Sequence, residues 1–181
     1  MPDQEQKLKS VYLANRDDLF SYLKSMVRDS SLALDLLHDA YLNLFRRYGK
    51  GTLPDDLSCR KLLFTIARNL VINEGEKYYN RKVHLTPVIA EVAGDSASAE
   101  NDAFRGMDRS ALRGVLDDLL DRLEETDRTI LLLRYESDFK LDAIADIVNL
   151  SISAVSRRLD SAKKKLIEEG RKAGFDPSLY L

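Results

Sequence analysis

The sequence lacks the residues on which several protein classes depend. It contains no tryptophan and a single cysteine, Cys59, so it has no disulfide framework and no cysteine-based zinc site. Its two histidines, His38 and His84, share no metal-ligand spacing, and we expect neither a metal nor a cofactor. Glycine and proline are scarce, with eight and four residues among 181, which excludes collagen-like and low-complexity chains. A reducing compartment, the cytoplasm, is the expected location.

Long apolar segments are missing as well. The longest uninterrupted apolar run, residues 130–133, is far shorter than a membrane span, and the polar N-terminus is unlike a signal peptide. We therefore expect no membrane insertion. The sequence also shows no nucleophile–base pair and no glycine-rich phosphate loop, so we expect that the chain is not an enzyme.

Charge is abundant, and its distribution is uneven. Charged residues make up 32% of the chain, yet the formal net charge is only −2. Residues 1–90 carry 14 basic and 11 acidic side chains, residues 91–111 carry 2 and 5, residues 112–149 carry 5 and 10, and residues 150–172 carry 7 and 3. An acidic stretch followed by a basic helix indicates surfaces that meet different partners, and nucleic acid is one such partner.

Apolar residues recur at helical spacing along most of the chain, which predicts an all-α fold. A first helix within residues 8–26 is expected to be interrupted or shifted in phase near Asn15. The second helix has the clearest apolar stripe, which includes Phe45, and Ser58 is the expected N-cap of the third. After residue 110 we expect short helices over residues 112–123, 127–135, 141–148 and 152–169.

The periodicity disappears between about residues 83 and 108, where small polar residues accumulate. So long an irregular segment is unusual inside a compact domain, and we interpret it as a linker. The predicted architecture is therefore two small helical domains, residues 1–83 and 111–181, joined by a flexible linker over residues 84–110. We expect the domains to take up a compact arrangement only if a partner holds them together.

Residues 141–159 carry the sharpest functional signal, a helix-turn-helix pattern. Asn149 stands where a tight left-handed turn favours glycine or asparagine, and Ser151 can cap the next helix. The outer face of that helix, including Ser153, Arg157 and Asp160, would enter a major groove, and nearby cations would contact phosphates. The alternative is an ordinary helical hairpin with a solvated basic end.

Two further helix faces are candidates for binding. Asn69 and Asn73 lie four residues apart on one face, where their amides could read exposed base edges, although a solvated face has the same pattern. Asp35, His38 and Asp39 cluster on another face. Acid–base or metal chemistry there lacks a third ligand, so a solvated face or a partner-docking face is the preferred interpretation.

In this order, the three stretches resemble the sigma factors of bacterial RNA polymerase, in particular the small two-domain group named for extracytoplasmic function (ECF). Residues 35–39 and 44–47 are similar to the family's first-domain pattern. Residues 66–69, with the basic tail to residue 82, are similar to the helix that follows it, and residues 132–135 and 144–166 are similar to the second domain.

The resemblance implies an alternative sigma factor that binds core RNA polymerase and directs promoter-specific transcription initiation. The face of Asp35, Leu36, His38 and Asp39 would bind the clamp helices of the largest polymerase subunit. The first domain would recognise the −10 promoter element through Asn69, Asn73, Lys77, Tyr78 and Arg81. A base of this element would be flipped into the loop over residues 48–58. The second would recognise the −35 element through Arg134, Ser153, Ser156, Arg157, Arg158, Asp160, Ser161 and Lys164.

Departures from the family pattern carry expectations of their own. Asp160 stands at a position that is commonly aromatic or histidine, and a carboxylate there accepts from a cytosine amino group, so we expect an unusual −35 sequence. The absence of tryptophan removes a stacking wedge and predicts a stricter −10 requirement.

Promoter DNA and core polymerase are thus the implied partners, together with an anti-sigma protein if one exists for this chain. Two alternatives stay open at this point. One is a stand-alone helix-turn-helix regulator that binds DNA without polymerase. The other is a sigma-like mimic that binds a regulatory partner instead of a promoter.

Overall fold

The computed structural model describes residues 2–48, 52–84 and 109–172, and all regular structure in them is α-helical. This confirms the predicted fold class. The predicted flexible linker lies almost wholly outside the described residues. The helices are α1 (Pro2–Val27), α2 (Ser30–Tyr48), α3 (Asp56–His84), α4 (Arg109–Asp121), α5 (Glu125–Tyr135), α6 (Leu141–Val148) and α7 (Ile152–Lys172).

Helices α1, α2 and α3 pack around a shared core that forms the first domain. Tyr22 of α1 and Phe64 of α3 are fully buried there, with ring centroids 5.5 Å apart. Leu37 and Leu44 of α2 close the core from the third side. Burial of these large side chains removes apolar surface from water and is the main force that holds the three helices together.

Helix α1 runs without interruption through Asn15, where a break was expected. The Asn15 side chain is buried, and its Nδ2 donates a hydrogen bond to the carbonyl oxygen of Val11 at 2.8 Å. Because this bond satisfies the buried amide within the helix itself, asparagine is accommodated in mid-helix. The predicted interruption is therefore wrong.

Helix α3 is capped by Asp55 and not by the expected Ser58. The Oδ1 atom of Asp55 accepts a hydrogen bond from the backbone N–H of Ser58 at 3.0 Å, and the Ser58 hydroxyl donates to Oδ2 at 2.6 Å. These bonds favour the carboxylate form and lower the pKa of Asp55. An aspartate three residues before a free N–H is a typical N-cap, so α3 begins at Asp56.

The second domain contains the predicted helix-turn-helix, formed by α6 and α7. Asn149 adopts a left-handed conformation with φ of 56°, and the backbone N–H of Leu150 donates to the carbonyl oxygen of Ala145 at 3.0 Å. Ser151 then caps α7, because its Oγ accepts a hydrogen bond from the backbone N–H of Ala154 at 3.2 Å. Both roles that the sequence predicted for this turn are confirmed.

The two domains are in direct contact within the single chain. Phe139 of the second domain is buried against Phe64, with ring centroids 4.9 Å apart, and the hydroxyls of Tyr22 and Thr129 share a buried hydrogen bond of 3.3 Å. The expectation that only a partner would hold the domains together is therefore wrong. The domains stay in contact because α1 and α3 carry apolar surface that the first domain cannot bury alone.

Polar contacts surround this apolar centre. The Nζ atom of Lys61 lies 2.7 Å from an Asp146 carboxylate oxygen, and a guanidinium nitrogen of Arg68 lies 3.1 Å from a Glu125 oxygen. Arg60 donates to the carbonyl oxygen of Ser137 at 2.7 Å. The hydrogen bond to Asp146 raises the pKa of Lys61. The acidic stretch of residues 112–149 thus faces cations of α3.

Candidate nucleic-acid and polymerase interfaces

The outer face of α7 carries most of the predicted −35 residues at its surface. Ser156 is half-buried, and Arg157 holds its Nε 3.4 Å from the carbonyl oxygen of Ser153, so that its side chain lies along the helix. The exposed members of this set are Ser153, Arg157, Asp160, Ser161 and Lys164. A helix-turn-helix presents this face of its second helix to a major groove, and contact of these five residues with the −35 element stays a prediction.

Two members of the predicted −35 set hold the domain together in this structure. Arg158 donates from Nη1 to Asp127 at 2.6 Å and to Glu124 at 3.1 Å, and the hydrogen bond to Asp127 raises the pKa of Arg158. Arg134 donates from Nη1 to the carbonyl oxygen of Phe139 at 3.0 Å. Their contact with DNA phosphates stays a prediction, and the structure gives both a structural role that sequence spacing could not show.

The predicted −10 face of α3 is exposed along its described length. Asn69, Asn73 and Lys77 follow one another at four-residue intervals on one side of the helix, and all three are exposed. Lys77 pairs with Glu74 at 2.5 Å. Tyr78 and Arg81 belong to α3, but their side chains lie outside the described residues, as do residues 49–51 of the loop expected to hold a flipped base.

A groove of about 330 Å³ runs between α2 and α3. It brings together residues that the sequence assigned to two different partners. Asp39 and Leu36, from the predicted polymerase-binding set, line it together with Asn73 and Lys77, from the predicted −10 set. Polymerase binding and −10 recognition are thus expected to occur on neighbouring surfaces of the first domain.

The predicted polymerase-binding face divides between surface and core. Asp35, His38 and Asp39 are exposed, whereas Leu36 is 3% exposed and belongs to the core of the first domain. A partner protein therefore meets Leu36 only at the floor of the groove. The rest of its side chain is buried in the hydrophobic core.

Helix α2 also carries an exposed apolar stripe that the sequence analysis missed. Leu34, Leu42 and Phe45 are 44%, 48% and 55% exposed and, with His38, they recur every three or four residues; we call these four the α2 stripe. Phe45 was included in the predicted apolar stripe of this helix, but unlike its neighbour Leu44 it is exposed, because it lies at the edge of that stripe, about 100° around the helix from Leu44. The spacing of Leu34, His38 and Leu42 was the available signal.

Cys59 is buried as a free thiol, and burial raises its pKa. In the part of the chain that the structure describes, acidic residues, cysteine and histidine form no group of three or more arranged to hold a metal ion. The same residues include no helix with the length and apolar character of a membrane span.

These features define a two-domain helical DNA-binding protein with a helix-turn-helix. Comparison with known families supplies its identity. Residues 11–79 match the model of Sigma-70 region 2, and residues 113–166 match that of Sigma-70, region 4. The chain belongs to the sigma-70 family, in the ECF group, and is an alternative sigma factor that directs transcription initiation. Sigma factors are DNA-binding regulatory proteins and not enzymes.

Individual relatives agree with this assignment. RNA polymerase sigma factor YlaC of Bacillus subtilis (strain 168) is 23% identical over 160 residues, which cover 88% of this chain and 89% of YlaC. The fold is similar to that of the sigma factor RpoE of Bartonella quintana, solved in complex with the anti-sigma factor NepR. That match has a TM-score of 0.65 and 21% identity, and it covers 93% of this chain and 96% of RpoE.

Proposed function

We propose that this sigma factor binds core RNA polymerase through α2 and recognises −10 and −35 promoter elements through α3 and α7. The observation that carries the proposal is that each matched sigma region presents an exposed helix face of the required chemistry. The chain itself catalyses no reaction; it supplies specificity to the polymerase, and it acts in the cytoplasm, where that enzyme works.

The α2 stripe is the core of the proposed polymerase-binding surface. Exposed leucine and phenylalanine side chains bury apolar area when a partner helix packs against them, and aromatic anchors dominate such interfaces. Asp35 and Asp39, both exposed, add charge beside the stripe, and His38 within it adds a polar group. This arrangement of an apolar centre with a polar rim fits the clamp helices that the family's first domain is expected to bind.

For the −10 element, α3 provides amides in a row. The Asn69 and Asn73 side chains each offer a donor and an acceptor, which suits the edges of unpaired bases. Tyr78 and Arg81, on the same helix, are proposed to stack on a base and to contact a phosphate. Lys77 adds backbone attraction once its pairing with Glu74 is exchanged for a phosphate.

The −35 element is proposed to be recognised by the exposed face of α7. Ser153, Ser156, Arg157 and Asp160 face the bases, while Lys164 contacts phosphate. The domain boundaries that serve this division of work are proposed at residues 1–83 and 111–181, with residues 84–110 between them.

Reading both elements requires the two domains to separate. The element names place them 25 base pairs apart, which is roughly 85 Å of B-form DNA at 3.4 Å per pair. A compact chain of this length is roughly 40 Å across, given a radius of gyration of about 16 Å. We therefore propose that the contact between α3 and the second domain breaks when polymerase binds, which also frees Lys61 and Arg68.

Transcription in vitro with purified core polymerase and a promoter library tests the proposal. Initiation that depends on this chain, and that is lost with Asn73→Ala or Asp35→Arg, is the expected result. A Lys9→Ala variant serves as a control, since Lys9 is exposed on α1, which carries none of the three faces. Tight, selective promoter binding without polymerase, and no chain-dependent initiation, would identify a stand-alone regulator instead.

We also propose an anti-sigma partner for this chain, supported by the fold it shares with RpoE of Bartonella quintana, whose structure was solved with the anti-sigma factor NepR. The test is affinity capture of the tagged full chain, followed by transcription with each captured protein added back. A captured protein that binds the purified chain and suppresses its transcription is expected; capture of core polymerase subunits alone contradicts the proposal.

A further inference from the structure

The turn of the helix-turn-helix and the first residue of α7 form an exposed apolar pair, which lies outside the −35 set described above. Leu150 in the turn is 37% exposed, and Ile152, the first residue of α7, is 53% exposed. We call this pair the apolar tip. Isolated surface leucines are common, but these two residues are only two positions apart in the chain and lie where the turn leads into the helix that probes DNA.

Ile152 is held in position by a well-defined turn. The left-handed Asn149 ends α6, and the Ser151 cap fixes the first turn of α7. The N-terminal residues of the second helix in such a motif contact base edges in the major groove. The start of α7 is exposed in the described structure, since both Ile152 and Ser153 are exposed there.

The chemistry around Ile152 narrows what it can recognise. Ser153 and Ser156 are short, and Arg157 is folded back along the helix toward the Ser153 carbonyl oxygen. Helix α7 can therefore approach the bases closely. An isoleucine side chain forms no hydrogen bonds, and the one apolar group that base edges present in the major groove is the 5-methyl group of thymine.

We propose that Ile152 is a specificity-determining residue that packs against the methyl group of a thymine in the −35 element. This inference rests on the proposed function, because it requires that α7 reads that element. It adds apolar contact to a face whose other exposed members are polar or charged. The preferred −35 sequence then contains a thymine whose methyl group is recognised, and not only its hydrogen-bonding edge.

Deoxyuridine substitution tests the inference, because uracil lacks only that methyl group. The −35 sequence is first selected from a library with the complete polymerase–sigma assembly. Each thymine, on either strand, is then replaced singly by deoxyuridine, and binding of the assembly is measured. With the natural chain we expect one replacement to weaken binding about fourfold, because the burial of one methyl group on binding is lost. With Ile152→Ala, the same replacement is expected to have no effect.

Two variants keep the result interpretable. Lys164→Ala, which removes a proposed phosphate contact, is expected to weaken binding to thymine and deoxyuridine promoters equally. Ile152→Val retains most of the apolar contact and should keep part of the discrimination. The inference is overturned if the selected element has no thymine, or if deoxyuridine is tolerated at every position by the natural chain. Chain-dependent transcription in the same assembly shows separately whether the proposed function holds.

Discussion

Among single residues, Asn149 is the one on which the geometry of the helix-turn-helix turn depends most directly. Its φ of 56° is a conformation that glycine and asparagine tolerate and that costs other residues about 1 kcal/mol or more. We predict that Asn149→Ala lowers the free energy of unfolding by about that amount. Asn149→Gly should be close to neutral. Denaturant titration followed by circular dichroism measures both; equal stability of the two variants would contradict the role given to the turn.

Asp160 has a predicted effect on recognition and not on folding, since its side chain is exposed on α7. A carboxylate accepts hydrogen bonds and discriminates in favour of a cytosine amino group. We predict that Asp160→Ala relaxes the preference at one base pair of the −35 element by about tenfold. Parallel sequence selections with the two polymerase assemblies measure this, and identical selected sequences would refute it.

Among the helices, α3 has an N-terminal cap, Asp55, whose contribution to stability is expected to depend on pH. Hydrogen bonds from Ser58 lower the pKa of Asp55, so the folded state favours the carboxylate. The stabilisation is present above the unfolded-state pKa of about 3.9 and is lost as the pH falls through the lowered folded-state value. We predict that Asp55→Asn, which retains a capping group, reduces this acid sensitivity.

Thermal unfolding of both chains from pH 7 down to pH 3 measures the effect. Asp55→Ala should lower the unfolding midpoint at neutral pH, whereas Asp55→Asn should change it little. If the natural chain and Asp55→Asn lose stability in parallel as the pH falls, other carboxylates govern the acid response and the predicted role of the cap is wrong.

Helix α2 offers a matched test of polymerase binding. We predict that Leu42→Ser combined with Phe45→Ser weakens binding to core polymerase by at least tenfold, because two exposed apolar side chains that would be buried are lost. Leu13→Ser provides the control, since Leu13 is an exposed leucine on α1, outside the α2 stripe. Fluorescence anisotropy of the labelled chain with core polymerase measures both, and equal affinities would remove the α2 stripe from the interface.

At the scale of the whole molecule, the contact between domains is the feature with the clearest consequence. Glu125 and Asp146 pair with cations of α3 around the apolar centre. We predict that Glu125→Lys combined with Asp146→Lys repels α3 and increases the radius of gyration above the roughly 16 Å expected for a compact chain. Small-angle scattering measures it.

The control for that experiment reverses two exposed carboxylates that take no part in the domain contact. Asp17→Lys combined with Glu168→Lys changes the net charge equally, so an expansion in this variant as well would point to general repulsion. If neither variant expands, the apolar contact of Phe64 with Phe139 holds the domains without help from the ion pairs.

Prediction from sequence succeeded for most features with local determinants, although it assigned the cap of α3 to Ser58 and not to Asp55. The bounds of α6 were predicted correctly, and Asn149 and Ser151 have the roles expected of them, because a turn and a cap depend on atoms a few residues apart. It failed at Phe45, where exposure depends on how one helix rotates against two others, and at Asn15, where a hydrogen bond to Val11 satisfies the buried amide within α1. Spacing defines a stripe on a helix but leaves open which edge of it the neighbouring helices cover.

The candidate site divides in the same way. Asn69, Asn73 and the exposed face of α7 follow from helical periodicity, so the sequence alone determined which side chains share a face. The pairing of Arg158 with Asp127, across 31 positions, follows from tertiary packing. The same is true of the exposure of the α2 stripe, which no short-range pattern specifies.

The sequence by itself determined an all-helical chain with a helix-turn-helix and an acidic stretch before a basic helix, because periodicity, caps and charge are properties of neighbouring residues. Only the tertiary structure decided that this acidic stretch faces α3, that Tyr22 meets Thr129 across 107 positions, and that the domains touch. Such contacts depend on the mutual fit of surfaces far apart in the chain, and that fit arises only when the helices have packed.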